Sequence, residues 1–508
     1  MDFSVRNERI LTNRVLMDDS DERPVDCDFV LPDYLPDVSA VLKCVMKPMI
    51  QSRQRSGDRY LVDGTVSIRT LYLDEGRTCV RSCEFTQPFS SSFLLKNGED
   101  FRYAAVSAQT DYVNCRAVSP RRLDVHGAFT VKLTLYTTEA EEYAADIQGE
   151  DVYVKTQELA YTAPAAYAEK TFSVNETGEL GVDLPPADFI IRADVAALLR
   201  ECRRMSGKAI IKGEIRATVL YCSDALQGKT ERTQLVLPFS QIIDAEGMTE
   251  EWNGDAGVSV LSSDIRLQPN QNGENTLLSV SVKLSAFTNG EKDLSVRLVT
   301  DAYSCRCPLQ TTRRECEAER AVQYGDEEEE FRQTVPLPSE NVAEVLDVWA
   351  ESFPAGSSCE DGQAAVSSRV LFCMLTRDTD GQVNYYEKMS DYTRQFAGAC
   401  DGIRFRTEIT GCRFSLTGNG SVELAAQIHT VYRCFCRQKV SALAAAQPDE
   451  EAAFAPDPAA VRVCFAHAGE DLWEIAKNSR TAADAIRQEN GLTSDILEQD
   501  TVLLIPLC

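Results

Sequence analysis

Histidine is the scarcest source of chemistry in this chain. Its 508 residues hold three, His126, His429 and His467, and none stands at a spacing that shares a metal. His429 sits in an alternating strand pattern with Ile428 and Val431, and His126 lies between Val125 and Gly127, so both read as structural. Gly-x-Ser-x-Gly, Walker, His-Glu-x-x-His and dinucleotide signatures are missing, which leaves no nucleophile with a base beside it. The expectation is a non-enzyme with no catalytic residue and no cofactor. Asp33 and Asp37, the nearest approach to a carboxylate pair, sit beside Pro32 and Pro36. They read as turn and capping residues, with Asp37 opening a short helix.

Positive charge is also short. Lys and Arg number 52 against 79 Asp and Glu, a net charge of −27. That excludes phosphate-backbone binding and docking to anionic lipid, and favours basic or metal-bridged protein partners. No apolar run approaches the roughly 20 residues of a membrane span. The first residues, Met1 to Glu22, carry no charged-then-apolar signal region, so a cytoplasmic protein without membrane insertion is expected. The 18 cysteines contain no Cys-x-x-Cys. Many fall on strand-like segments (Cys222, Cys373, Cys412), where a reduced thiol acts as a small hydrophobe. Cys305/Cys307 and Cys434/Cys436 form Cys-x-Cys pairs, each on one face of a strand. Zinc needs about four ligands, so no metal site is expected.

What is present is repetition. The length implies about three to five domains. A first unit opens with Leu31-Pro32-Asp33-Tyr34-Leu35-Pro36-Asp37-Val38 and continues into a strand, Leu61 to Leu73, with a turn at Asp74-Glu75-Gly76. A strand pair, Val106 to Cys115 and Leu123 to Leu135, follows with period two. The second unit replays this order through Leu184-Pro185-Pro186, Ile210 to Tyr221, and the pair Val258 to Ile265 and Thr276 to Phe287. The third starts after the acid run Asp326 to Glu330, with strands at Val366 to Leu375, Ile403 to Cys412 and Ser421 to Tyr432. Three antiparallel units of this size are separate β-sandwich or barrel-like domains, and the fold class is mainly β. The expected division is an N-terminal segment 1–25, units at 26–160, 161–315 and 316–445, a flexible acidic linker 446–459, and a C-terminal module 460–508.

The Leu31–Val38 opening and the Gly64-x-Val66-x-Ile68-x-x-Leu71-Tyr72 strand resemble the SPOCS (spore coat) domain of endospore formers. The second copy keeps the strand and part of the opening, and the third diverges most.

The last stretch, Val461 to Cys508, reads as βααβ, a small α+β module closed by pairing its first and last strands. Asp471 can cap a helix carrying Leu472, Trp473, Ile475 and Ala476. A second helix is expected from Thr481, as its cap, to a left-handed stop at Asn490-Gly491. Trp473 is expected in the core. Gly469-x-x-Leu472-Trp473-x-Ile475-Ala476, Ala485-Ile486, Glu489-Asn490-Gly491-Leu492 and Leu503-x-Ile505-Pro506 resemble a LysM domain. The resemblance implies a shallow groove for N-acetylglucosamine glycans between two loops. The residues placed there are Gly469, Glu470, Asp471, Asn490, Gly491, Leu492, Asp495, Ile496 and Leu497. Asp471 replaces the usual hydroxyl residue and Gln499-Asp500 the usual Pro-Gly. An acidic rim short of hydroxyls suits a protein ligand.

Tandem SPOCS units followed by one LysM domain resemble the SipL family of spore coat morphogenesis proteins. That resemblance implies a non-enzymatic mother-cell scaffold at the forespore surface. Its partners would be the stage IV sporulation protein A-like coat ATPase, bound through the LysM domain, and other coat proteins. The alternative is a LysM protein that binds peptidoglycan in the wall or spore cortex.

Overall fold

A computed structural model describes residues 3–95, 100–417, 420–455 and 459–506. Residues 456–458 of the expected linker lie outside the described residues. The period-two patterns become strands throughout, and the mainly β fold class holds. The first unit runs β1 (Ser4–Val30), β2 (Ala40–Ser56), β3 (Arg59–Leu73), β4 (Val80–Leu94), β5 (Tyr103–Ser119) and β6 (Arg122–Gln148). Its sheets are ordered β1-β6-β5 and β2-β3-β4, all antiparallel. Val62, Val66 and Ile68 of one sheet pack on Val125, Phe129, Val131 and Leu133 of the other, which makes a sandwich.

The same order recurs twice. The second unit is β7 (Val152–Glu179), β8 (Phe189–Met205), β9 (Lys208–Asp224), β10 (Lys229–Asp244), β11 (Ala256–Pro269) and β12 (Asn275–Ser304), in sheets β7-β12-β11 and β8-β9-β10. The third is β13 (Leu309–Pro336), β14 (Val342–Glu360), β15 (Gln363–Asp378), β16 (Val383–Phe396), β17 (Gly402–Thr417) and β18 (Ser421–Pro448), in sheets β13-β18-β17 and β14-β15-β16. A Cβ added at Gly64 would sit 2.3 Å from the Met49 carbonyl and 2.6 Å from the Phe89 ring. At Gly213 it would meet the Leu198 carbonyl at 2.2 Å and Phe239 at 2.4 Å. In both units the glycine lets the paired phenylalanine lie across the strand.

The long outer strands differ from expectation. β1 runs straight through the boundary placed at 25/26, β7 through 160/161 and β13 through 315/316. Residues 4–25 are therefore sheet, and each unit starts with a strand whose irregular composition hid it. The acid run Asp326 to Glu330 lies inside β13, where Arg and His neighbours take up its charge. Asp326 pairs with His429, Glu327 with Arg394, Glu328 with Arg216, and Glu330 with Arg332 and Arg413.

The short helix expected at Asp37 does not form. Leu35 closes a turn on the Pro32 carbonyl at 3.0 Å, and β2 follows at Ala40. Asp37 accepts from Arg121 at 2.6 Å, and the same guanidinium donates to the carbonyls of Leu31, Pro32 and Leu35. A paired cation thus satisfies the turn that a cap was expected to satisfy. The phenol of Tyr72 donates to the Pro36 carbonyl (3.1 Å), and Tyr221 repeats this on Pro185 (2.9 Å).

The three units share a core. Leu71, Leu73, Cys79 and Val80 of the first meet Ile191, Leu220 and Cys222 of the second and Trp349, Leu371 and Cys373 of the third. Each unit contributes its central strand, β3, β9 or β15. The far halves of the long strands pack likewise: Ile10 and Tyr143 with Leu159, Tyr161 and Leu298, and with Cys316 and Val440. Among the described residues no helix is long and apolar enough to cross a membrane.

Because Leu220 is buried where the units meet, Leu220→Ala should cost about 2–5 kcal/mol. The loss should appear in all three units at once, read as one cooperative thermal transition moving down. Separate transitions, with only the second unit shifted, would show the core is not shared.

Candidate functional site

The C-terminal module is β19 (Val461–Ala466), α1 (Leu472–Ser479), α2 (Ala483–Asn490) and β20 (Thr501–Pro506), with β19 and β20 antiparallel. Its core is Ala466, Leu472, Ile475, Ala476, Ile486, Leu497, Leu503 and Ile505. Asp471 caps α1 by accepting from the Trp473 amide at 2.9 Å, and Gly491 ends α2 in the left-handed conformation, φ 63°. Thr481 does not cap α2. Its hydroxyl donates to the Pro506 carbonyl at 2.5 Å, and Ala482 stands at the cap position without a side-chain bond.

The two loops expected to form the groove are laced together. Gly469 N–H donates to the Leu497 carbonyl (2.7 Å), Leu497 N–H to Glu470 (3.0 Å) and Leu472 N–H to Asp495 (2.7 Å). Asp471 faces Ile496 in an isolated bridge. The structure thus gathers Gly469, Glu470, Asp471, Asp495, Ile496 and Leu497. Leu497 is buried as core and Ile496 is exposed. Asn490 is spent on structure: its amide donates to the carbonyls of Ile486 and Leu504 and accepts from the Leu504 amide. Gly491 serves the helix stop, and Leu492 packs on the module core.

A seat that the sequence did not reveal holds this module on the second unit. Asp301 of β12 accepts from the Trp473 indole (2.8 Å), the Lys477 ammonium (2.7 Å) and Arg313 (2.6 Å). Tyr303 packs edge-on against Trp473, centroids 4.9 Å apart, and its phenol donates to the Thr481 carbonyl at 2.7 Å. Lys155 of β7 reaches Asp471 at 2.6 Å. Trp473, expected in the core, packs against the module core and in addition contacts Asp301 and Tyr303 in the seat. Burial pushes the Asp301 carboxyl upward, but Lys477, Trp473 and Arg313 outweigh it and hold it below the usual range. At Asp471 burial likewise acts upward, and Lys155 with the Trp473 amide brings the carboxyl down.

The expected tether is pinned where it is described. Asp449 N–H donates to the Pro308 carbonyl (2.9 Å), Phe454 N–H to Arg306 (2.8 Å), and Arg480 stacks over the Phe454 ring at 3.6 Å.

The outer face of the two-stranded sheet is apolar. Val463 (65% exposed) faces Leu504 across the strands, and Phe465 (59%) faces Val502 (58%). Val461 extends the row. The alternation was legible in the sequence, but only the fold shows that Cys464, Ala466, Leu503 and Ile505 point inward and the larger set outward.

His429, buried in the third unit, contacts Asp326 at 2.5 Å and Glu408 at 3.6 Å. Burial lowers its basicity, and the two carboxylates reverse this and raise the imidazole to about 9. Both carboxylates hold a cation, which suits an ion pair and leaves no free base.

Residues 37–118 and 187–268 match the family described as SipL, SPOCS domain. Each match runs from the opening turn through the fifth strand of its unit, the first and second respectively. No curated protein and no solved structure matches the chain.

Two outcomes follow. The folded pKa of His429 lies above its unfolded value near 6.5, so its contribution is complete below pH 6.5 and disappears as pH rises through about 9. Thermal melts from pH 6 to 10 should show a loss of roughly 3 kcal/mol that His429→Gln abolishes. Asp301→Asn should weaken the seat by about 3 kcal/mol, since it removes the charge that binds Lys477. Limited proteolysis between residues 448 and 461 should then accelerate while the three units keep their melting temperature.

Proposed function

We propose that this chain is a non-enzymatic, sporulation-related scaffold whose C-terminal module docks a protein partner. The SPOCS matches in the first and second units support the sporulation setting. The observation that carries the docking role is the exposed apolar row Val461, Val463, Phe465, Val502 and Leu504 on an otherwise acidic module. Contiguous exposed apolar side chains rimmed by charge are a hallmark of protein interfaces. The LysM-like groove favours protein over glycan for a second reason. Lys155 already engages Asp471, and Asn490 is committed to the helix–strand junction, which leaves few polar groups for a sugar.

In this reading the partner is the stage IV sporulation protein A-like coat ATPase, met in the mother-cell cytoplasm at the forespore surface. The β-sandwich units present further contacts to other coat proteins, and linked modules gain avidity even where each contact is weak. An apolar patch on the partner flanked by Lys or Arg complements this face and the chain's net charge of −27.

Binding of the purified chain to the purified ATPase tests the reading. Phe465→Glu and Val463→Asp lie on the surface, so the fold is kept, and each should weaken binding by about 2 kcal/mol, roughly thirtyfold. Unchanged affinity in both variants, or saturable binding of chitin oligomers or peptidoglycan, would sink it in favour of the glycan-binding alternative.

A further inference from the structure

Two thiols from different units meet inside the shared core. Cys79 of the first unit and Cys222 of the second are 143 residues apart in the chain, yet their sulfurs lie 3.9 Å apart in a hydrogen bond. Both side chains are buried, packed with Leu73, Val80 and Leu220. Cys222 is fixed within β9, between Phe189 of β8 and Thr230 of β10. Cys79 stands in the turn just before β4, outside the strand ladder, so it has room to rotate. The two turns already touch: a Cβ at Gly228, between β9 and β10, would lie 2.2 Å from the Thr78 carbonyl. The third unit grips both, with Arg377 donating to the Gly228 carbonyl and the Val383 amide to that of Arg77 (3.3 Å).

We propose that Cys79 and Cys222 are a dithiol that hydrogen peroxide converts to a disulfide, bonding the first unit to the second through their shared core. A disulfide holds its sulfurs about 2.0 Å apart, so the pair must close by about 2 Å, a shift that one rotation at Cys79 supplies. The hydrogen bond between them lowers the Cys222 thiol, and the same bond together with burial raises Cys79. Arg81, stacked over Phe189 at 4.0 Å, favours the anion at both sulfurs. Cys222 is therefore the attacking thiolate. It takes one peroxide oxygen, the O–O bond breaks, and the departing hydroxide gains a proton to leave as water. The sulfenic acid so formed is attacked by the deprotonated Cys79 sulfur, and its hydroxyl leaves as a second water. Two thiols and one peroxide thus give one disulfide and two waters, the sulfurs losing two electrons and the peroxide gaining them. Glu75, Gly76 and Arg77 are exposed in the turn that carries Cys79, and local opening of that turn admits the oxidant. The product closes a long loop, removes conformations from the unfolded chain, and fixes the junction on which the three-unit arrangement rests.

Other groups of reactive side chains are engaged differently. Cys44 and Cys115 each meet the Thr70 hydroxyl, at 3.6 and 3.8 Å, and both belong to the first unit. The sulfurs of Cys359 and Cys436 are turned to the carbonyls of Cys400 and Ala399. Asp26, Asp124 and His126 hold ligand atoms within 4.8 Å of one another, but Arg116 grips Asp124 at 2.7 Å and the imidazole nitrogens face the two carboxylates.

The test is treatment of the reduced, folded full-length chain with hydrogen peroxide, followed by alkylation of the remaining thiols in denaturant and digestion without reductant. Mass spectrometry should find the Cys79 and Cys222 peptides joined and two hydrogens lighter than the free pair, and dithiothreitol should separate them. The oxidised chain should melt at least about 3 °C above the reduced one. Cys79→Ser, in the turn, should keep the far-UV circular dichroism and lose both the link and the rise. Cys222→Ala should lose them as well, while Cys436→Ser should keep both. Failure to find the joined peptides in the unaltered chain, under conditions that oxidise the half-exposed Cys436, overturns the proposal. So does a link that forms only after the chain is unfolded, or a rise in melting temperature that survives in Cys79→Ser.

Discussion

The apolar core where β3, β9 and β15 meet is the constraint on which the rest of the molecule depends. Leu71 with Leu73, Leu220 with Cys222, and Leu371 with Cys373 turn toward one another from equivalent places in three sandwiches. Each sandwich has its own interior, so the shared core adds burial that no unit reaches alone. Its polar rim is also committed. Arg192 donates to the fully buried Asp347 at 2.5 Å and stacks on Trp349, which joins the second and third units by a charge pair that tolerates little displacement.

The long strands are a consequence of this arrangement. Strands of 27 to 30 residues are too long for one sandwich. Their far halves need a second apolar environment, and the neighbouring units supply it through Tyr143, Tyr161 and Cys316. The end of β12 then presents Asp301 and Tyr303, and the C-terminal module settles there through Trp473 and Lys477. The seat covers one side of the module and leaves the Val463–Phe465 face of its sheet in solvent. The orientation of the interaction surface thus traces back, through the length of one strand, to the packing of the three units.

Local signals were readable where the side chain and its partner lie close in sequence. The alternation in Leu61–Tyr72 gave its strand, Asp471 capped its helix, and Gly491 stopped the next one. Asp37 misled because a residue suited to a helix cap is equally suited to pair with Arg121, and those two lie 84 residues apart. The acid run at Asp326–Glu330 misled for a similar reason. Its compensating charges, Arg216, His429, Arg394 and Arg413, come from distant strands, so in isolation it looked like a boundary. Trp473 packs against the module core as its neighbours Leu472 and Ile475 suggested, and its further partners, Asp301 and Tyr303, lie on another unit.

The sequence by itself determined the three-fold repetition, the β character of the units, and the βααβ order of the last 48 residues, because periodicity and turn chemistry act over a few residues. Only the tertiary structure decided that β1 belongs to the first sandwich and that the module is seated. Those outcomes depend on strand pairing between residues far apart in the chain. A pattern of period two states which residues share a face, and says nothing of what that face will meet.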